Sequence, residues 1–197
     1  MADFFFNALL GAATAKLPYT RLQYIESTGT QYINTGVTPD FAGGDEIRLS
    51  LYKPSGSSSV CAFGSRQAGV RNGIYGLGDG SIIVCDSTSF GGSGAVMVIG
   101  DNTVIVNDSE VTINSVTKSM PKRVTVALPI FLFCLNNFGN AALSFSGVRF
   151  REFSFYKNDI LTQHLIPALD SSNVPCMWDT VSNTAKYNAG TGIFNYA

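Results

Sequence analysis

Residues 148–156 read VRFREFSFY, and residues 46–52 read EIRLSLY. In both runs apolar and polar side chains alternate with a period of two, so each chain segment turns one face to a core and the other away. Helical periodicity is lacking after about residue 15. Short alternating or apolar runs instead follow one another, cut by Gly-, Asn-, Asp- and Ser-rich turns. That pattern restricts the chain to an all-β sandwich or barrel. Residues 73–77 and 81–85 are expected to form a hairpin around Gly78-Asp79-Gly80. Strands are also expected at 60–63, 95–99, 103–106, 110–116 and 123–127, with a flexible loop at 87–94 and a turn at 136–140. Residues 24–36, YIESTGTQYINTG, read as a hairpin-like opening around a turn at 27–30. The most apolar run, PIFLFCL at 129–135, is expected to be a central strand facing core on both sides. In VRFREFSFY the apolar residues change faces midway, from Val148 and Phe150 to Phe153 and Phe155. This implies a β-bulge or a strand crossing between two environments.

The length of 197 residues suits one domain with a sizeable core. Asp, Glu, Lys and Arg make up 14% of the chain, and the net charge is -1. The surface must therefore be made largely of Ser, Thr, Asn and Gly, as in a protein held within a larger assembly. No basic cluster exists to attract nucleic acid, and no apolar run approaches the ~20 residues of a membrane-spanning helix. Residues 1–16, with Phe4, Phe5, Phe6, Leu9 and Leu10, read as an apolar arm or short helix that docks on a partner. They precede a sandwich over 17–197. Asp3 is the only charge ahead of the small-residue stretch Ala13-Thr14-Ala15, which argues against a secretory leader. Cys61, Cys85, Cys134 and Cys176 lack metal-ligand or redox spacing and read as reduced, buried hydrophobes.

Few residues are arranged for chemistry. His164 is the sole histidine, set among apolar neighbours, and no zinc site or G-x-S-x-G elbow can be built with it. Asp79, Asp86, Asp101, Asp108, Asp170 and Asp179 lie in loops and could donate oxygens to calcium, although no EF-hand spacing is present. Glycoside hydrolysis needs two facing carboxylates. Asp45 and Glu46 are adjacent and point to opposite faces, whereas Glu26, Glu110 and Glu152 are isolated. Glu152 reads as a partner for Arg149 or Arg151, or as an interface residue. The Gly91-Gly92-Ser93-Gly94 run lacks the Lys of a phosphate loop. No catalytic residue, metal or cofactor is assigned. A lectin-like sandwich would bind through aromatics and polar loops, which leaves Tyr75 and Tyr187 as candidate ligand-binding residues, with Tyr156, Trp178 and Tyr196 as weaker ones.

Two terminal segments carry a family likeness. YIESTGTQYINTG at 24–36 and PCMWDTVSNTAKYNAGTGIF at 175–194 resemble paired signatures of laminin-G-like, concanavalin A-like jelly-roll domains. LPIFLFCLNNFG at 128–139 and VRFREFSFYKNDILTQHLIPAL at 148–169 are similar to the middle strands of such domains. Cys176, Met177 and Trp178 stand where the pattern more often has a small residue, Leu or Met, and Tyr, so Trp178 is a ring exchange. The resemblance implies an antiparallel β-sandwich used for recognition or packing, as found in structural proteins of tailed bacteriophages. A non-enzymatic virion component is therefore expected: a capsid decoration, head-fibre or tail-associated protein, assembled in the host cytoplasm. Its partners would be other virion proteins and further copies of itself. A carbohydrate-binding adhesin on a virion or bacterial surface is the alternative expectation, and a glycoside hydrolase a remote one.

Overall fold

The computed structural model describes residues 18–55, 60–67, 73–78, 81–85, 90–120 and 127–197. The arm residues Phe4, Phe5, Phe6, Leu9 and Leu10, residues 123–126 of the strand expected over 123–127, and Asp79 and Asp86 lie outside the described residues. Strands are numbered in chain order. The larger sheet runs in the order β11 (Val116–Ser119), β10 (Glu110–Ile113), β9 (Gly100–Val106), β4 (Asp45–Lys53), β15 (Arg149–Lys157), β16 (Ile160–Asp170), β17 (Pro175–Asp179) and β18 (Thr184–Lys186). Three short strands complete it: β1 (Tyr19–Arg21) beside β16, β2 (Ile25–Glu26) beside β15, and β19 (Asn195–Tyr196) beside β2. The smaller sheet runs β14 (Asn140–Ala142), β13 (Leu135–Asn137), β5 (Cys61–Arg66), β6 (Gly73–Leu77), β7 (Ser81–Cys85) and β8 (Phe90–Val96). There β12 (Phe131–Leu132) bridges β5 and β3 (Ile33–Asn34). The pairing is antiparallel except where β13 runs parallel to β5. The result is an all-β sandwich of two sheets rather than a closed barrel. Among the described residues no helix is long and apolar enough to cross a membrane.

One core lies between the sheets. From the larger sheet it takes Ile47, Leu49 and Leu51 of β4, Val104 and Val106 of β9, and Phe150, Phe153 and Phe155 of β15. Phe63, Ile74 and Ile82 come from the smaller sheet. The alternation of β4 works as its sequence implies: Ile47, Leu49 and Leu51 are buried while Arg48, Ser50 and Tyr52 face outward or sit half-buried. The face change in β15 is a bulge. Its pairing with β4 slips between Phe150 and Glu152, so Arg151 is the extra residue. That single insertion keeps Phe150 and Phe153 on the same, buried face.

Three hairpins turn on two residues, β10–β11 at Asn114-Ser115, β13–β14 at Phe138-Gly139 and β15–β16 at Asn158-Asp159. Each turn residue has positive φ, from 48° to 87°, the twist that joins antiparallel strands most closely. Residues 110–116 are accordingly two strand ends and a turn rather than one strand. The expected 73–77/81–85 hairpin is present as β6–β7. Part of the expected 87–94 loop belongs to β8.

Two longer segments also differ from expectation. PIFLFCL is not one central strand. Ile130 to Leu135 are all buried, but Phe133 takes a φ of +74° and the chain turns there, so that β12 pairs antiparallel and β13 parallel with the same strand β5. YIESTGTQYINTG is not a hairpin either. Its β2 joins the larger sheet and its β3 the smaller, so the stretch crosses from one sheet to the other. The crossing is built by Gln31, which is buried and whose Oε1 accepts hydrogen bonds from the Thr28 backbone N–H (2.7 Å) and the Ser27 hydroxyl (3.2 Å). The C-terminal segment closes over it. The Tyr32 N–H donates to Asn188 Oδ1, the Ala189 N–H to the Tyr32 carbonyl, and the Gln23 N–H to the Ala197 carbonyl.

Candidate functional site

The outer face of the larger sheet gathers charged and aromatic side chains from strands that are distant in sequence. Arg149 of β15 lies opposite Glu26 of β2 on one side and Tyr52 of β4 on the other. Its guanidinium forms an ion pair with Glu26 and lies 4.7 Å from the Tyr24 ring centre and 4.8 Å from that of Tyr52. Arg48 repeats this arrangement, paired with Glu46 and 4.5 Å above the Tyr156 ring. In each case the carboxylate hydrogen bond raises the arginine further above its already high pKa. Arg151, turned out by the bulge, donates to Asp101 Oδ1 of β9 through Nη2 (2.9 Å) and Nε (3.2 Å).

Ser50 occupies the centre of this face. It is opposite Thr103 of β9 and Glu152 of β15, and its short side chain lies between the long ones of Arg48 and Tyr52 on the same strand. A shallow trough follows across the strands. One depression of about 600 Å³ is lined by Arg21, Leu22, Gln23, Ser50, Arg151 and Glu152. A neighbouring one of about 320 Å³ shares Ser50 and Arg151 and adds Asp101, Thr103 and Asn114.

Glu152 is not the partner of Arg149 or Arg151. Those arginines meet Glu26 and Asp101 across neighbouring strands, and Glu152 Oε1 instead lies 3.1 Å from His164 Nε2. Because a carboxylate only accepts, a neutral His164 carries its proton on Nε2. Its Nδ1 then accepts the hydroxyl of Thr180 at 2.8 Å. This carboxylate–imidazole–hydroxyl row lacks free amide donors beside the hydroxyl: the Thr180 N–H donates to the His164 carbonyl (2.8 Å) and the Val181 N–H to Asp179 Oδ1 (3.0 Å). The row therefore ties β15, β16 and the β17–β18 turn together.

Of the aspartates expected in loops, Asp101 lies on β9 and meets Arg151, and Asp170 accepts the Ser172 and Val174 N–H groups of its own turn. Asp179 is buried and also accepts the His164 N–H (3.1 Å) and the Ser182 hydroxyl (2.7 Å). Among the described residues no group of three or more His, Cys, Asp or Glu side chains could hold a metal ion. Cys61, Cys134 and Cys176 are free and buried. Burial pushes the Cys134 thiol up to about 12 and the Cys176 thiol to about 11.

The two candidate ligand-binding tyrosines are placed differently. Tyr75 is 3% exposed and packs with Cys61, Leu77 and Leu135, so its ring serves packing in the smaller sheet. Tyr187 is 49% exposed, and its hydroxyl donates to Asp170 Oδ2 at 2.8 Å. Of the weaker candidates, Tyr156 lies under Arg48, Trp178 is 8% exposed against Tyr19, and Tyr196 is exposed at the C-terminal strand.

Asp170 is held below the usual carboxylate range by the Val174 N–H first, then by the Tyr187 hydroxyl and the Ser172 N–H. Asp170 in turn raises Tyr187. A depressed carboxylate stabilises the fold above its ordinary pKa and loses that contribution as pH falls through the folded value. A raised phenol stabilises below its ordinary value and loses that contribution as pH rises through the folded one. The pair thus acts across the neutral range. Tyr187→Phe should raise the Asp170 pKa only part of the way to normal, since two backbone donors remain. NMR titration of the Asp170 carboxyl carbon checks this, and an unchanged midpoint would rule out the Tyr187 bond.

Neither the family models nor the curated proteins compared with this chain yield a match.

Proposed function

We propose that this chain is a non-enzymatic recognition and packing module that docks on a protein partner through the outer face of its larger sheet. In keeping with the resemblance of its terminal segments, it serves as a virion structural component of a tailed bacteriophage, in the capsid, head fibre or tail. The observation that carries the reading is the pair of arginine–tyrosine stacks, Arg149 with Tyr24 and Tyr52, and Arg48 with Tyr156, each arginine anchored by a carboxylate. Tyr and Arg dominate the energetics of protein interfaces. Side chains already held in place lose little freedom on docking.

The test is incorporation into the native particle. Tyr52→Ala with Arg149→Ala should fold, by circular dichroism, yet lower the copies per purified particle at least tenfold. Full incorporation would overturn the reading. The glycan-binding alternative draws on one observation, the exposed Tyr187 ring with its hydroxyl fixed by Asp170. It requires a glycan-array signal that Tyr187→Ala abolishes, and a flat array would end it.

A further inference from the structure

We propose that the trough over Ser50 is a seat for a carboxylate side chain presented by the protein partner, an aspartate or glutamate received between Arg21 and Arg151. The inference rests on the recognition face proposed above and names the chemistry that the face takes. Four of the chain's seven arginines, Arg21, Arg48, Arg149 and Arg151, stand on or beside this face. Three of them are neutralised by Glu46, Glu26 and Asp101. Arg21 forms no ion pair among the described residues, and it is exposed. It reaches the same depression as Arg151 and Ser50 because β1 runs beside β16, where β15 and β16 no longer pair beyond Phe153 and Leu165.

The seat therefore offers an uncommitted guanidinium, a second one whose orientation is fixed by Asp101, and a hydroxyl floor. Arginine binds carboxylates through paired N–H donors, which favours a planar anion over a neutral amide of the same shape. Glu152 also lines the depression, but its Oε1 accepts from His164 and from the Ser154 hydroxyl (3.4 Å). Its negative charge repels a second carboxylate, so the seat is assigned to the Arg21 side of the depression, and Glu152 can accept a backbone N–H of the partner. The small residue at 50 is what makes room: a long side chain there would fill the trough.

The test uses the full chain, labelled with nitrogen-15, and two capped tripeptides, acetyl-Gly-Glu-Gly-amide and acetyl-Gly-Gln-Gly-amide, with free glucuronate as a third probe. The glutamate peptide should give saturable amide shifts at Ser50, Thr103 and Arg151. Arg21→Gln should weaken it about two- to fivefold, the range of one exposed charge pair, and Arg21→Lys should restore part of the loss. The glutamine peptide should leave these amides in place. Equal behaviour of the two peptides, or an unchanged titration in Arg21→Gln, would overturn the proposal. Glucuronate binding at these amides without glutamate-peptide binding would overturn it in favour of an acidic glycan. Should the peptide fail while Tyr52→Ala with Arg149→Ala still depletes the particle, the carboxylate seat falls and the recognition face stands. If neither has an effect, both fall.

Discussion

Phe133→Ala should lower the stability of the domain by about 3–5 kcal/mol, the range for removing a fully buried phenylalanine. In a chain of this length that corresponds to a fall in melting temperature of roughly 6–20 °C. Phe133 is fully buried, and its ring meets Phe150 of the larger sheet edge-on at 4.8 Å and Phe194 near the C-terminus at 4.9 Å. It sits at the bend between β12 and β13, with a φ of +74°. One ring therefore connects the smaller sheet, the larger sheet and the closing terminal segment. Its loss leaves a cavity where three elements meet, and the strained backbone keeps them from collapsing onto it. Phe133→Leu retains much of the volume and should cost less than half as much. Urea unfolding followed by circular dichroism checks both. Equal stability of Phe133→Ala and the parent would mean that the sheets are not joined through this residue.

The bend at Phe133 also shows where sequence reading stops. A run such as PIFLFCL is apolar throughout, so its periodicity contains no trace of a turn. Positive φ is expected of Gly, Asn or Asp, and a phenylalanine gives no such sign. The bulge in β15 was legible for the opposite reason: in VRFREFSFY the apolar phase slips by one residue, and only an inserted residue returns Phe150 and Phe153 to one face. The β6–β7 hairpin was legible for the residue types of Gly78-Asp79-Gly80 between its strands. The sandwich follows from alternation and turns, both local properties.

The candidate site is not local. Glu26 and Arg149 are 123 residues apart and meet only because β2 pairs with β15. The trough exists only because Ser50 lies between Thr103 and Glu152. Strand order is set by long-range pairing, which no single segment encodes. Sequence proximity points Glu152 toward Arg149 or Arg151, or toward an interface, whereas the fold places it against His164, across the β15–β16 pair. The crossing of residues 24–36 between sheets escaped for the same reason. Two tyrosine-isoleucine pairs around a polar turn look alike whether their strands join each other or different sheets.

Gly64→Ala should be as damaging as any core truncation, for a backbone reason. Gly64 lies within β5 and is paired on both sides, with Tyr75 of β6 and Phe131 of β12. Its φ is +152°, and a Cβ built on it would fall 2.1 Å from the Ile74 carbonyl oxygen and 3.2 Å from the Tyr75 Cα. That oxygen belongs to the backbone of the neighbouring strand, so no rotamer change relieves the contact. β5 and β6 must move apart by about 1 Å, which weakens the ladder between them and disturbs the packing of Phe63 and Ile74 beneath. A loss of about 3 kcal/mol or more is expected, in the range reserved for strained backbone and broken packing together. Gly139→Ala is the control. Gly139 has a φ of +87° in the β13–β14 turn, but nothing lies within 4 Å of its added Cβ. It should lose only the ~1–2 kcal/mol of placing an alanine in the left-handed region. The difference between the two variants in chemical unfolding isolates the close approach of β5 and β6. Equal losses would mean that the approach is not there, and with it the tight smaller sheet on which Phe133 bends.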